Sequence, residues 1–407
     1  MIEGLPQHEL TARIARVQSA LQAQGWDGLL ATQNTDIYYL TGSMQSGYVY
    51  VPAAGDPTFY VRRSVTRAQR ESHVRTVELG SFRSFGATLA ADYPQLDAST
   101  NAKPQIASPL DTLPAQTYLK LAELLSGCQT VIVDGSAMMR TTRMIKSSWE
   151  LDRISAAAQA AAEALEAALP QLREGVSELD WLAAYEYEIR RRGHIGVMRM
   201  RAYNQEVLTG MVGSGEAAAE PTYFDGPAGG RGLGPFAPQS ASRKRFARNE
   251  PILIDIGCCI DGYIIDQTRT AVIGELSQPL RDAYAVAERI MRRTEQLLVP
   301  GTPAELLYEE ALRMATDAGL KEHFMGFGAD QVRFLGHGIG LEVDEWPVLA
   351  KGVRTPLEPG MVIAIEPKFT FPGIGVVGIE NTYAIAEHSG PSPLTQSPEQ
   401  LIVVPLA

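Results

Sequence analysis

The strongest constraint on this chain is a set of acids placed inside runs that are otherwise apolar. Asp255 lies in Leu253-Ile254-Asp255-Ile256-Gly257, and Asp266 ends Tyr263-Ile264-Ile265-Asp266, with Asp261-Gly262 between the two runs. Two apolar runs around an Asp-Gly pair predict a hairpin, which would set Asp255 and Asp266 roughly opposite each other. The pattern then repeats. Glu366 follows Met361-Val362-Ile363-Ala364-Ile365, Glu380 follows Val376-Val377-Gly378-Ile379, and Pro372-Gly373 lies midway, so a second hairpin would again face two carboxylates. A carboxylate among Ile and Val is costly to bury unless its charge is cancelled. A single Asp in a strand is ordinarily an edge or turn residue. Two hairpins carrying four acids, with Gly336-His337-Gly338 between the pairs, predict a cation site instead. Two divalent ions would cancel the four charges, and His337 would add a nitrogen donor, making Asp255, Asp266, His337, Glu366 and Glu380 the candidate metal ligands.

At 407 residues the chain is long for one core, which predicts two domains. Its net charge of −11 disfavours a phosphate backbone as partner, so nucleic-acid binding is not expected. The basic cluster Arg243-Lys244-Arg245 reads as a solvated loop face. Cys128, Cys258 and Cys259 cannot build a disulfide framework; adjacent Cys258 and Cys259 would point to opposite faces of a strand, as buried thiols of a reducing compartment. Met1-Ile2-Glu3-Gly4 does not resemble a signal peptide, and no apolar run is long enough to span a bilayer. A cytoplasmic protein without membrane contact is the expectation.

Apolar residues at helical spacing predict a helix over 8–25, and Gly28 to Thr32 and Thr130 to Asp134 predict strands. With a hairpin around Ala54-Gly55-Asp56 and a helix near 117–125, this alternation predicts a small α/β domain over residues 1–143. From 144 to 407, helices are expected at 151–169 (N-capped by Ser148), 178–192, 278–298 and 303–318 around antiparallel strands, an α+β domain. Between its helices and the first acidic hairpin, residues 213–235 hold seven glycines and three prolines. That composition predicts a surface loop, with a lid or rim over the acids as the sharper expectation.

The run Asp255-Ile256-Gly257, Gly262-Tyr263, Asp266-Gln267-Thr268-Arg269-Thr270 resembles the metal hairpin of the pita-bread metallopeptidases, the group of aminopeptidase P, prolidase, methionine aminopeptidase and creatinase. Gly336-His337-Gly338-Ile339-Gly340, Ile365-Glu366-Pro367 and Gly378-Ile379-Glu380-Asn381 resemble its remaining blocks in order. Asn34-Thr35-Asp36-Ile37-Tyr38-Tyr39-Leu40-Thr41-Gly42 is similar to the N-terminal domain of the creatinase, prolidase and aminopeptidase P branch. The resemblance implies a creatinase-like α/β N-terminal domain and a pita-bread α+β catalytic domain of antiparallel sheet with surrounding helices. It implies that Asp255 chelates one metal, that His337 and Glu366 hold the second, and that Asp266 and Glu380 bridge them. Glu366 would accept a proton from an acidified water. Thr268 and Arg269 would support the ligands, and the ions would be manganese, or else iron, cobalt or zinc. A homodimer acting on a small peptide or amide-like substrate is implied too.

Two blocks depart from the group. Where proline-directed members typically carry a histidine in His-Glu-x-Pro, this chain reads Asp344-Glu345-Trp346-Pro347, and no histidine lies between His194 and Asp255. Asp344 could shuttle a proton but could not donate as a cation. The expectation is therefore a dinuclear hydrolase of the Xaa-Pro aminopeptidase or dipeptidase type. The alternatives are a hydrolase or lyase acting on a small non-peptide metabolite, and an inactive binding module, which should have lost ligands.

Overall fold

The computed structural model describes residues 4–96, 103–127, 129–207, 209–388 and 390–406. The reading of Cys128 falls outside them. The chain divides into two compact units, Met1–Arg143 and Met144–Ala407.

The first unit opens with a helix over Gln7–Gln24 that buries Leu10, Ile14, Val17 and Leu21 and stops at Gly25, whose left-handed backbone ends it. Six strands follow: β1 (Gly28–Ala31), β2 (Gly47–Pro52), β3 (Thr58–Val61), β4 (Arg75–Glu78), β5 (Gln105–Ser108) and β6 (Val131–Asp134). They form one mixed sheet in the order β4-β3-β2-β1-β5-β6. Asn34–Thr41, readable from sequence as either a helical turn or a short strand, is a helix capped by the Gln33 side chain on the Asp36 amide. One core of this unit gathers Leu30, Tyr50, Tyr60, Phe85, Leu89 and Leu121.

In the second unit, a helix over Ser148–Ala168 is capped one residue earlier than expected. Ser147 accepts from the Glu150 amide while the Glu150 carboxylate takes the Ser147 amide, a reciprocal cap that Ser148 could not make. Its alanine-rich face packs on the strands β8 and β9 described next. Helices at Glu178–Arg191, Gln278–Leu297 and Ala304–Asp317 complete the surround. The strands are β7 (Gly210–Ser214), β8 (Pro251–Ile260), β9 (Tyr263–Ile273), β10 (Phe334–Gly338), β11 (Glu345–Ala350), β12 (Val362–Ile365), β13 (Lys368–Phe371), β14 (Gly375–Gly378), β15 (Asn381–Ala384), β16 (Ser392–Pro393) and β17 (Ile402–Val404). They assemble as β17-β9-β8-β7, β11-β10-β12-β15-β16 and the pair β13-β14. The fold is thus an α/β N-terminal domain followed by an α+β domain of largely antiparallel sheets with surrounding helices, as the resemblance implies.

Both acidic hairpins exist, with a correction to the first. Asp261 and Gly262 turn with φ 50° and 90°, the left-handed pair that a two-residue hairpin loop needs. The register sets Asp255 against Thr268, and Asp266 against Gly257. The two aspartates are therefore not opposed; they are offset by two residues and share one face of the ribbon. In the second hairpin Ile365 pairs with Asn381, and Lys368 pairs with Gly378. Both ladders continue inward to the same opposition, Glu366 against Glu380, at the point where the chain passes from one sheet to the other.

No helix among the described residues is long and apolar enough to cross a membrane.

Candidate metal centre

Strand geometry brings all five predicted ligands together. Asp266, His337 and Glu380 form one group and Asp255, Glu366 and Glu380 a second, the donor atoms of each lying within 4.8 Å of one another. Glu380 belongs to both. His337 falls with Asp266 and Glu380, the two implied bridging residues, and Glu366 falls with Asp255 while its Oε1 also lies 3.7 Å from His337 Nε2.

Local sequence explains each placement. His337 is flanked by glycines because its strand is pressed between two others. A Cβ on Gly336 would meet the Ala364 carbonyl at 1.9 Å, and one on Gly338 would meet the Trp346 carbonyl at 2.1 Å. The His337 Nδ1 lies 3.1 Å from the Gly338 carbonyl. If that nitrogen carries the proton, Nε2 keeps its lone pair for the cluster, 3.7 Å from Glu366 Oε1. Thr268 donates its hydroxyl to Glu380 Oε2 at 2.7 Å. Arg269, on the other face of β9, donates to the Glu380 carbonyl at 2.7 Å and to Asn381 Oδ1 at 2.9 Å. One neighbour thus fixes the Glu380 carboxylate and the next fixes its backbone.

A fully buried lysine that sequence reasoning missed sits inside the cluster. The Lys368 ammonium lies 2.7 Å from Glu366 Oε2, 3.0 Å from Glu380 Oε2 and 3.1 Å from Asp255 Oδ2. Its signal was present: it is the one basic residue between Glu366 and Glu380 and stands two residues past Glu366 along an apolar run. Burial works against its charge, but the carboxylates of Asp255, Glu366 and Glu380 outweigh that and hold its pKa well above the usual lysine range.

The acids respond unequally. Burial, reinforced by Glu380 and Asp255, pushes Asp266 well above the ordinary carboxylate range. Burial also raises Asp255, against the pull of Lys368, and raises Glu366 to about 7. Glu380 is lowered despite its burial, because Lys368, His337 and Thr268 all favour its anion. Even so, Glu380 Oε1 is buried with no hydrogen-bond partner. Oxygen and imidazole donors converging around an anion-stabilised oxygen without a hydrogen-bond partner suit a divalent cation.

Asp344 is placed differently. Its Oδ1 takes the Arg201 amide at 2.7 Å and its Oδ2 takes the Ala202 amide at 2.9 Å, so both oxygens anchor the 201–202 backbone. It belongs to neither ligand group. The neighbouring Glu345 receives the buried Lys146 ammonium at 2.9 Å. The glycine-rich stretch forms the end of β7, a short helix at Gly215–Ala218 and then irregular chain. Its residues 218–229 line a cavity of about 640 Å³, together with residues 326–327 and 329–332, Thr370 and Pro372. None of the five ligands lines that cavity. Cys258 and Cys259 are buried, and burial raises both thiols to about 12, which leaves them inert.

Comparison with known proteins agrees with this geometry. Residues 152–387 match the model of metallopeptidase family M24, and residues 13–145 match the creatinase/prolidase N-terminal domain. A probable dipeptidase PepE of Mycobacterium tuberculosis is 29% identical over 402 residues, covering 97% of this chain and 96% of that protein. An Xaa-Pro dipeptidase of Pyrococcus horikoshii is 26% identical over 395 residues, covering 97% and 99%. Among solved structures, dipeptidase PepE from Mycobacterium ulcerans superposes with a TM-score of 0.80 at 26% identity, covering 99% of this chain and 100% of that one. The Xaa-Pro dipeptidase from Bacillus anthracis also gives 0.80 at 26%, covering 97% and 100%.

Proposed function

The chain belongs to metallopeptidase family M24, a family of metal-dependent hydrolases, and from that premise we propose that it cleaves small Xaa-Pro peptides, dipeptides foremost. The observation that carries the reading is the pair of overlapping ligand groups, with every expected donor present. An inactive binding module would have no need to keep five such groups together, two of them buried and three half-buried.

When bound, divalent cations supply Lewis-acid polarisation of a carbonyl and activation of a water. The chain's own residues do the rest. Glu366, poised at about 7, receives the proton at Oε1, the oxygen that faces His337 rather than Lys368. Thr268 and Arg269 hold Glu380 in place from its two ends. Asp344 acts as a positioning residue that fixes residues 201 and 202, a role that leaves neither oxygen idle for proton carriage. The cavity walled by residues 218–229 has the size of a small-ligand pocket, and its Thr370 stands two residues along β13 from Lys368. This supports a rim role for the loop and a compact substrate.

One observation favours a second reading. With Asp344 where relatives of this branch typically carry a histidine, a non-peptide amide that asks for no cationic donor fits as well. Purified protein loaded with Mn²⁺ and offered Xaa-Pro dipeptides and tripeptides beside acylamino and amidino acids decides between them. The Xaa-Pro dipeptides should give the highest kcat/KM; turnover confined to acylamino or amidino compounds would replace the peptidase assignment. Manganese as the native ion, a homodimer and a reducing cytoplasmic setting complete the proposal, the last supported by the unpaired, buried Cys258 and Cys259.

A further inference from the structure

The cavity walled by residues 218–229 has a lining chemistry that a rim role alone does not use. Both of its walls are tied to β13. The Met325 amide donates to the Lys368 carbonyl at 2.9 Å, and the Thr370 hydroxyl donates to the Pro227 carbonyl at 3.3 Å. Thr370, which lines the cavity, shares a strand face with Lys368 and stands about 7 Å along from it, two steps of a strand. The His323 ring stacks on Phe371 at 4.4 Å, lies 5.0 Å from Phe327 and sets Nδ1 2.7 Å from the Thr370 carbonyl, which steadies the Phe327 wall. Tyr223, Phe224 and Phe327 give the cavity three aromatic rings. Tyr223 is 54% exposed and Phe327 37%, large rings that the fold leaves open to solvent. Three acids, Glu220, Asp225 and Asp330, line it as well, and no Lys, Arg or His does. Glu220 is occupied by Arg231 at 2.6 Å. The side chains of Asp225 and Asp330 make no hydrogen bond or ion pair among the described residues.

We infer that this cavity selects the residue before proline and favours a basic one, so that Lys-Pro and Arg-Pro are the preferred dipeptides. The inference rests on the Xaa-Pro reading of the centre and adds to it the identity of Xaa. Proline carries no cation, and the α-ammonium is common to every Xaa-Pro dipeptide, so only the Xaa side chain can distinguish one from another here. Lysine and arginine lay a long apolar stem against aromatic walls and keep the cation at the wet end. There the ring faces and the carboxyl oxygens of Asp225 and Asp330 both attract it. An acidic Xaa would meet the same two acids with no base to receive it. Because Asp225 and Asp330 are exposed, each contact is modest, and ring and acid together amount to about a tenfold preference.

The test compares Lys-Pro, Arg-Pro, Met-Pro and Glu-Pro on the full chain loaded with Mn²⁺, at low and at high salt. The kcat/KM for Lys-Pro and Arg-Pro should exceed that for Met-Pro, similar in length and uncharged, by about tenfold, with Glu-Pro last. The advantage should shrink as salt rises, since the acids are exposed. The double variant Asp225→Asn, Asp330→Asn should bring Lys-Pro and Met-Pro to within about threefold of each other, the ring contribution alone remaining. Equal kcat/KM for the four dipeptides, or a wild-type ratio in the double variant, would overturn the inference and leave the peptidase reading standing. Cleavage of none of the four would overturn the peptidase reading. Calorimetry of the same protein with Nα-acetyl-lysine amide and Nα-acetyl-norleucine amide then decides for the cavity by itself. Binding of the lysine compound tighter by about tenfold supports selection of a cation, and equal binding refutes it.

Discussion

Glu178 and Glu380 are both buried acids in the same domain, 0% and 1% exposed, and they are treated in opposite ways. Glu178 Oε1 receives the amide and hydroxyl of Ser214, each at 2.8 Å, and Oε2 receives those of Ser242 at 2.9 and 2.6 Å. Four neutral donors complete it, and its work is to tie β7 to the segment before β8. Glu380 shares one oxygen between a threonine and a lysine and leaves the other without a partner, beside three further acids. Burial of a carboxylate therefore does not mark a site. What marks one is buried charge whose hydrogen bonding has been left unfinished.

The sharpest way to break that contrast is to remove one charge from each kind of acid without changing shape. Glu366→Gln in the unfinished cluster should lower kcat by about 10²- to 10⁴-fold, the usual share of a positioned acid–base group, and leave the fold intact. Steady-state kinetics with metal content measured alongside checks this; turnover close to wild type would remove Glu366 from the mechanism. Glu178→Gln should do the reverse. Its amide nitrogen would face two donors, so unfolding in urea should come earlier by about 4 kcal/mol, with kcat per folded molecule unchanged. A loss below about 1 kcal/mol would mean that the four bonds contribute far less than charge-assisted bonds do.

His194 extends the comparison to a buried base. It is 5% exposed, and its Nδ1 accepts the Cys259 amide at 2.9 Å, which only the neutral ring can do. Burial, helped by Arg190, lowers its pKa from 6.5 to about 4. Between those values the unfolded chain binds a proton that the folded one refuses, so stability is present above pH 6.5 and is lost as pH falls towards 4. The full loss is about 3 kcal/mol. His194→Gln, which can still accept from the amide, should flatten that part of the curve of unfolding free energy against pH. A variant with the wild-type slope would show that other groups carry it.

The same distinction explains what the sequence made legible. Asp255, Asp266, His337, Glu366 and Glu380 were readable because acids are conspicuous in apolar strands, and the Asp261-Gly262 turn fixed one hairpin. The two-residue offset of Asp255 from Asp266 was already implicit in that turn, since a two-residue loop at Asp261-Gly262 pairs Asp255 with Thr268; the expectation of opposed aspartates overlooked it, and a shift of two keeps the same face. Ser147 rather than Ser148 capped its helix because the reciprocal bond needs Glu150 at the third position. Lys368 escaped notice because a lone lysine in a strand ordinarily points to solvent; only the folded pairing with Gly378 turns it inward. Asp344 was legible as a departure, but its partners are amides some 140 residues earlier, which no local pattern announces.

The smallest expected effect is also the one most particular to an unfinished site. Asp266 is held well above its ordinary pKa by burial and by Glu380 and Asp255, so the folded protein binds protons there that the unfolded chain has released. By linkage its presence lowers stability as pH rises above about 4, the ordinary aspartate value. Asp266→Asn keeps the shape and removes the repulsion. In metal-free protein at neutral pH it should therefore raise the unfolding free energy by about 1 kcal/mol, as substitutions that relieve strained active sites do. With Mn²⁺ present the order should invert, because the wild type gains binding energy at Asp266 that the variant forgoes. Thermal melts of both proteins with chelator and with Mn²⁺ give the four values needed. A variant less stable than wild type under chelator would mean that Asp266 is as complete as Glu178, and the contrast between the two kinds of acid would fail at its own centre.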